Sequence, residues 1–216
     1  MTLKTSSNIR KLLKGNKNIP TGVKKWQREH SVTNRWTDAF YLLKNTTPDA
    51  KLLWLQFRIL HHCLTTNRSV SKFKSEQTDL CEFCHEASET IVHLFWHCVA
   101  VQEFWTNLAQ YINAKCIHVH NFHFTKDLVL FGICNQIKTD EILDLIILLA
   151  KRYIYNSKVN KILPSFTPFK YILYNRFCIE KKFERNAEAG VGRWLPYKNM
   201  FMSLQYNMSI NLLNMC

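Results

Sequence analysis

The sequence predicts a mainly α-helical fold, a helical domain into which a Cys-Cys-His-Cys (CCHC) loop is inserted. Apolar residues make up 47% of the 216 residues, and Gly and Pro number only five each, which is typical of a folded helical chain. Apolar side chains recur at helical spacing along most of the sequence. The loop is indicated by Cys81, Cys84, His93 and Cys98, which lie close enough in sequence to surround one metal ion.

Composition and pattern divide the chain into three predicted parts. Residues 1–46 form a basic N-terminal arm and the helices that lead into the domain. Residues 47–135 contain a helix and the CCHC segment, and residues 136–216 form a basic helical C-terminal region. No part contains an apolar run of about 20 residues, so we expect no membrane partner.

The N-terminal part contains two predicted elements and a connection. Residues 4–14 form a short basic helix or an arm, and residues 15–21 are rich in turn formers and are interpreted as a linker. A short helix then carries the apolar side chains Trp36, Phe40 and Leu43.

The segment Thr47-Pro48-Asp49 predicts the start of the next helix. Thr47 would be the cap, Pro48 would occupy the first helical position, and Asp49 would lie at the positive end of the helix dipole. We expect this helix to run to about Cys63. Residues 67–73 are then predicted to form a short connection, either irregular or helical.

Three more helices are predicted after the CCHC segment. The first presents one apolar face made by Val101, Phe104, Trp105, Leu108 and Ile112. The second begins at Thr139-Asp140-Glu141 and is apolar nearly all round from Ile142 to Ile154, which is typical of a buried helix, and Pro164 ends it. Thr167-Pro168 begins the third. Residues 118–124 form a loop or short strand, and residues 126–134 are ambiguous.

The CCHC segment predicts a zinc site. Two cysteines two residues apart can present both sulfurs to one ion, and a histidine and a cysteine downstream can complete a tetrahedron around Zn²⁺. His93 and Cys98, however, lie about 140° apart on an ideal helix, so a helix end or break near Cys98 is required. His97 shares the face of His93 and is the rival fourth ligand, while His85 is a further candidate.

The formal net charge of +13 is unevenly distributed. Residues 1–30 carry eight Lys and Arg against one acid, and residues 151–186 carry nine against two. Residues 75–114 contain six acids and no Lys or Arg. The basic flanks predict a polyanionic partner, RNA or DNA, although an ordinary solvated basic surface would have the same composition.

The candidate contacts to nucleic acid fall into two sets. On the predicted helix from Pro168 to about Arg185, one stripe carries a tyrosine among basic residues, with an apolar face opposite that we expect to be core. That stripe is made by Lys170, Tyr174, Lys181 and Arg185, with Lys182 at its margin, and the core face by Phe169, Ile172, Leu173, Ile179 and Phe183. The N-terminal set is Arg10, Lys11, Lys14, Lys24 and Lys25.

Several motifs together resemble a known family. They are Trp54-x2-Phe57-Arg58-Ile59-Leu60-His61, Thr66-Asn67, Cys81-x2-Cys84, Glu89-Thr90-x2-His93-Leu94-Phe95-Trp96-x-Cys98 and Phe104-Trp105. This pattern resembles the zinc-binding region that follows the reverse transcriptase domain in non-LTR (LINE-class) retrotransposon polyproteins. The resemblance implies Cys81, Cys84, His93 and Cys98 as the ligands of a structural Zn²⁺. It also implies the upstream reverse transcriptase domain as a partner, and a ribonucleoprotein in the nucleus, the cytoplasm or both.

Catalytic parts of such a polyprotein are not expected in this chain. Polymerase chemistry needs paired acids for two Mg²⁺ ions, and the sequence contains no Asp-Asp step. We therefore expect a binding module and no enzyme. Two alternatives stay open: a zinc-organised surface for protein partners, and an inactive transposon fragment.

Overall fold

The computed structural model describes residues 20–30, 39, 46–116, 121–132, 141–183 and 193–201. Within them the chain is mainly helical, which confirms the predicted fold class. The predicted basic helix over 4–14 and the helix carrying Trp36, Phe40 and Leu43 lie outside the described residues. None of the described helices combines the length and the apolar character that crossing a membrane requires.

The described α-helices are numbered in chain order: α1 Thr21–His30, α2 Ala50–Leu60, α3 Asn67–Ser71, α4 Val99–Lys115, α5 Glu141–Val159 and α6 Phe166–Phe183. Two π-helical turns, His93–His97 and Leu128–Gly132, precede α4 and α5, and a 3₁₀ helix spans Leu195–Met200. The segment of ambiguous pattern near residue 130 is therefore helical.

Helix α5 lies at the centre of the fold. Every residue from Ile142 to Lys151 is buried, which confirms the prediction of a helix surrounded by neighbours. Helices α2 and α6 and both π-turns pack against it. Helix α4 buries the predicted face, Val101, Phe104, Trp105, Leu108 and Ile112, against the first π-turn and α6.

Helix α1 is not among the predicted elements. The predicted linker over residues 15–21 overlaps only its first residue, Thr21. Val23 and Trp26 are its buried apolar side chains, one turn apart, so the sequence signal is short. Tertiary contacts hold it in place: the indole of Trp26 donates a hydrogen bond to the carbonyl of Ile59 at 3.2 Å. Gly22 allows this approach, since a Cβ there would lie 2.5 Å from backbone atoms of His61.

Two predicted helix starts are displaced by two residues or less. In α2 the cap is Asp49, whose carboxylate accepts hydrogen bonds from the amides of Lys51 and Leu52 at 3.0 and 3.4 Å. Thr47 accepts from the amide of Asp49 at 3.2 Å, so it supports the cap without being the cap. Helix α2 ends at Leu60, and α6 begins at Phe166, with Pro168 inside its first turn.

The predicted core face of α6 is partly wrong. Phe169 and Leu173 are buried as expected, but Ile172 and Ile179 are 37% and 50% exposed. The buried face of the helix differs from the predicted one because the polar side chains of Arg176 and Glu180 face inward and form ion pairs there. Arg176 binds Glu180 at 2.7 Å and Asp49 at 3.3 Å, which joins α6 to the start of α2. The side chain of Phe183 lies outside the described residues.

Candidate metal centre

A closed loop positions the first two cysteines. Leu80 and Ser88 form an antiparallel bridge, and the amide of Cys81 donates to the carbonyl of Ala87 at 2.8 Å. The turn between the cysteines closes where the amide of His85 donates to the carbonyl of Cys81 at 3.0 Å. His85 adopts a positive φ of 56°, which reverses the chain after Cys84. Both thiols therefore come from a tight loop, as a two-residue spacing requires.

The structure brings Cys81, Cys84, His93 and Cys98 together. Their ligand atoms all lie within 4.8 Å of one another. The two sulfurs of Cys81 and Cys98 are 3.8 Å apart, and Sγ of Cys84 is 3.4 Å from Nε2 of His93. Zn–S bonds of about 2.3 Å give a tetrahedron whose S···S edges measure about 3.8 Å. The cluster could therefore hold a zinc ion with little rearrangement.

The first π-turn resolves the spacing of His93 and Cys98. The amide of Cys98 donates to the carbonyl of His93 at 3.0 Å, a hydrogen bond that spans five residues and widens the turn. Cys98 itself has an extended backbone and is the residue that precedes α4. The break that the sequence required is thus present at Cys98. His97 and His85 are exposed, and neither belongs to the cluster of four.

Burial and hydrogen bonding shift the pKa values of Cys81, Cys98 and His93 in different directions, and only the shifts of Cys98 and His93 favour the metal-binding form. The hydrogen bond from the Cys81 thiol lowers the pKa of Cys98, while the same bond and burial raise the pKa of Cys81. Burial, and then the nearby His97, lower the pKa of His93. A lowered pKa favours the neutral imidazole, which is the form that binds a metal. Three sulfurs and one imidazole form a donor set that suits zinc.

Apolar side chains enclose the cluster. Phe83 lies between the first two cysteines and is buried, and Leu94 and Phe95 in the π-turn are buried completely. The carbonyl of Phe95 accepts a hydrogen bond from the indole of Trp105 at 2.8 Å, which fixes the π-turn against α4. This packing keeps water away from the thiols of Cys81 and Cys98, whereas Cys84 is half-buried.

Glu89 supports the loop in a way that the sequence did not indicate. The buried carboxylate accepts hydrogen bonds from the amides of Asn67 and Glu82, at 2.8 and 3.2 Å, and lies 3.1 Å from Nζ of Lys158. The backbone amide of His93 donates a hydrogen bond to the hydroxyl of Thr90 at 2.9 Å. Glu89 therefore joins the metal loop to α3 and α5.

The predicted nucleic-acid contacts on α6 differ in exposure. Lys181 and Lys182 are exposed, whereas Lys170 is half-buried, with Nζ 5.6 Å from the ring centre of Phe166. Tyr174 is half-buried beside Phe201, at 6.1 Å between ring centres, so part of its ring is covered by protein.

On α1, Lys24 is exposed and Lys25 is half-buried in a groove. Four predicted contacts, Arg10, Lys11, Lys14 and Arg185, lie outside the described residues. The roles assigned to all of these residues stay predictions.

The comparison with protein families covers this part of the fold. Residues 23–105 match the family described as zinc-binding in reverse transcriptase, a range that contains the whole cluster and the start of α4. Neither a curated protein nor a solved structure matches the chain. With the geometry of the four side chains, this match supports a reverse-transcriptase-associated zinc-binding region over residues 23–105.

Proposed function

We propose that the zinc ion is structural and that it holds a nucleic-acid-binding surface of a non-LTR (LINE-class) retrotransposon polyprotein, within an intracellular ribonucleoprotein. The observation that carries the structural role is the convergence of four protein ligand atoms within 4.8 Å. Four protein ligands leave no coordination position for a reacting water. The ion then acts through folding, because zinc binding in small peptides contributes about 10–16 kcal/mol, part of it as folding free energy. The module has no catalytic role in this proposal.

Two acids of the zinc loop are paired with lysines. Glu89 is paired with Lys158, and Glu82 lies 3.8 Å from Nζ of Lys161. Both lysines come from the end of α5 and the turn after it, so the acidic loop faces a basic part of the same chain. Repulsion of phosphate by these two acids is thereby reduced.

A basic groove supports nucleic-acid binding. It has a volume of about 430 Å³ and lies between α1, α3 and the residues that lead into the first π-turn. Lys25, Arg68 and Lys72 line it, and its acid, Glu29, is 3.4 Å from the imidazole of His62. The sequence from Ala50 to Ser75 contains no Asp or Glu. The groove is therefore suited to a phosphate backbone of either RNA or DNA.

The test is a titration of zinc-loaded protein with labelled RNA and DNA over a range of salt concentrations. Electrostatic binding must weaken steeply with salt, and removal of three phosphate contacts must reduce the slope by about three. We expect this result for Lys25→Ala/Arg68→Ala/Lys72→Ala. The charge-matched control is Lys115→Ala/Lys126→Ala/Lys198→Ala, which removes three cations outside the groove. Equal losses in both variants would contradict a groove-specific site.

A second candidate function is a surface for a protein partner, namely the reverse transcriptase domain of the same polyprotein. One observation favours it: Val159, Ile162 and Leu163 are each about 60% exposed at the end of α5. Substitution of these three by Ser would then abolish co-purification with that domain and leave the salt-dependent nucleic-acid binding intact. Loss of nucleic-acid binding alone would contradict this candidate.

A further inference from the structure

Three aromatic rings form a row on the outward face of α2, in which the first two are stacked and the third is tilted by 37°. Trp54, Phe57 and His61 lie opposite the buried side chains of Leu52 and Ile59. The Trp54 and Phe57 rings are nearly parallel, with centres 5.3 Å apart and 7° between their planes. The ring of His61 continues the row, 4.1 Å from Phe57. We call these three residues the aromatic row.

The aromatic row is exposed to water on a helix face where polar residues are usual. Trp54 is 61% exposed and Phe57 is 37% exposed. Leaving large rings in water is unfavourable, since apolar burial contributes about 25 cal/mol per Å². The ring of Trp54 is the most exposed of the row and ends its stack with Phe57, so a base could extend the stack there, as bases do on aromatic side chains. The geometry thus indicates a flat aromatic ligand.

The charges around the row select a polyanion. Lys51 and Arg58 lie on the same helix beside the rings, and the hydroxyl of Thr65 accepts a hydrogen bond from Arg58 at 2.6 Å. The acid-free stretch from residue 50 to 75 includes the entire row. A ligand that fits both the exposed rings and the positive charge carries flat rings on a negatively charged backbone. Single-stranded nucleic acid has this chemistry.

The row leads directly into the basic groove. His62 follows His61 and adopts a positive φ of 57°, so the chain turns sharply between the two histidines. The ring of His61 continues the row, whereas His62 lines the groove beside Lys25. The consecutive residues His61 and His62 thus connect the aromatic row to the groove that would bind phosphates.

We propose that a single strand of nucleic acid stacks a base on Trp54, at the open end of the row, while its backbone enters the groove at His62. This inference rests on the proposed function and adds a preference to it. Bases in a duplex are already stacked and paired, so only an unpaired segment can use the row. The module therefore recognises single-stranded RNA or DNA in preference to a duplex.

The test compares three probes of equal length: an oligothymidylate, the same backbone without bases, and a duplex. Zinc-loaded full-length protein is used, with its zinc content and thermal midpoint checked for every variant. We expect Trp54→Ala/Phe57→Ala to weaken binding of the oligothymidylate by about tenfold or more, with little change for the other two probes. Trp54→Leu, which keeps apolar area without the aromatic ring, should give part of the same loss.

The matched control is Phe73→Ala, which removes a 90% exposed ring that belongs neither to the aromatic row nor to the lining of the groove and should change none of the affinities. Unchanged oligothymidylate binding by the double variant, with a loss in the groove variant, overturns the stacking inference and leaves the proposed function intact. Absence of salt-dependent binding to every probe by the unsubstituted protein overturns the proposed function itself. If the double substitution instead converts a dimer into monomers at unchanged affinity, the row is an interface between copies and the inference is wrong.

Discussion

The carboxylate of Glu89 lies 3.1 Å from Nζ of Lys158, and this contact joins the zinc loop to the last turn of α5. The glutamate is fully buried and the lysine side chain is only 10% exposed. Two backbone amides, those of Asn67 and Glu82, donate to the same carboxylate. Because Glu82 lies between Cys81 and Phe83 in the zinc loop, the pair couples the loop that supplies the thiols to the helical core.

Removal of the lysine partner should destabilise the protein strongly. Lys158→Met leaves the Glu89 charge buried without its partner, which costs about 3–5 kcal/mol in the free energy of unfolding. The double variant Glu89→Gln/Lys158→Met should lose less than the sum of the single variants, because the two side chains interact. Denaturant unfolding of the zinc-loaded protein measures all three values.

The neighbouring pair of Lys161 and Glu82 is the control for that experiment. Its atoms are 3.8 Å apart, and the Lys161 side chain is 77% exposed. Exposed pairs contribute about 0–1 kcal/mol, so Lys161→Met should have little effect. If Lys158→Met were as mild as Lys161→Met, the coupling of the loop to α5 through Glu89 would be disproved.

Metal analysis of single variants tests the ligand assignment. Ala at Cys81, Cys84 or Cys98 should each remove the zinc and lower the thermal midpoint, because a tetrahedral site loses one of four bonds. His97→Ala and His85→Ala should retain both properties, since these histidines lie outside the cluster. Zinc loss in His97→Ala with retention in Cys98→Ala would establish the rival ligand set.

The parts of the fold that depend on local pattern were predictable. The buried helix α5 and the apolar face of α4 follow from periodicity, and the spacing of Cys81 and Cys84 indicated a metal loop. The difficulty at Cys98 was also visible, because helix geometry excludes five-residue spacing in a regular helix. The remedy, a π-turn, was not predictable, since it depends on how Phe95 and Trp105 pack.

The parts that depend on distant contacts were not predictable. The predicted core face of α6 is partly wrong because Arg176 and Glu180 face inward. Asp49, the cap of α2, binds Arg176, and Arg193 binds Glu180. Glu89 carries no local signal of its partner, because Lys158 lies in a different helix. Helix α1 is similarly defined by Trp26 reaching the carbonyl of Ile59. A sequence pattern reports faces and spacings, whereas these contacts arise from tertiary packing.

Acid should weaken the attachment of residues 193–201 to α6 at Glu180. Burial acts to raise the pKa of Glu180, but hydrogen bonds from Arg193 and Trp194, at 2.5 and 2.7 Å, outweigh it, so the pKa is lowered. A carboxyl with a lowered pKa in the folded state contributes stability above its unfolded value of about 4.3, and this is lost as pH falls through the folded value. Glu180→Gln should remove that part of the acid dependence and cost about 1–3 kcal/mol at pH 7. Equal acid slopes for both proteins in urea unfolding between pH 3 and 6 would contradict this role.

Alkali should stabilise the protein through Lys151. Burial lowers the pKa of this fully buried lysine from 10.5 to about 7, against the opposing effect of Asp144, and the ammonium donates to the side chain of Gln56. The unfolded state therefore binds more protons between pH 7 and 10.5, so the free energy of unfolding rises with pH across that window. Lys151→Met should reduce this rise in the free energy of unfolding by a few kcal/mol. It also leaves the Gln56 oxygen without its donor, which lowers the free energy of unfolding in alkali. Unfolding at pH 6 and pH 9 with saturating zinc gives the difference between the two proteins, in which the pH dependence of metal binding cancels. A rise of the same size in Lys151→Met would show that another group titrates.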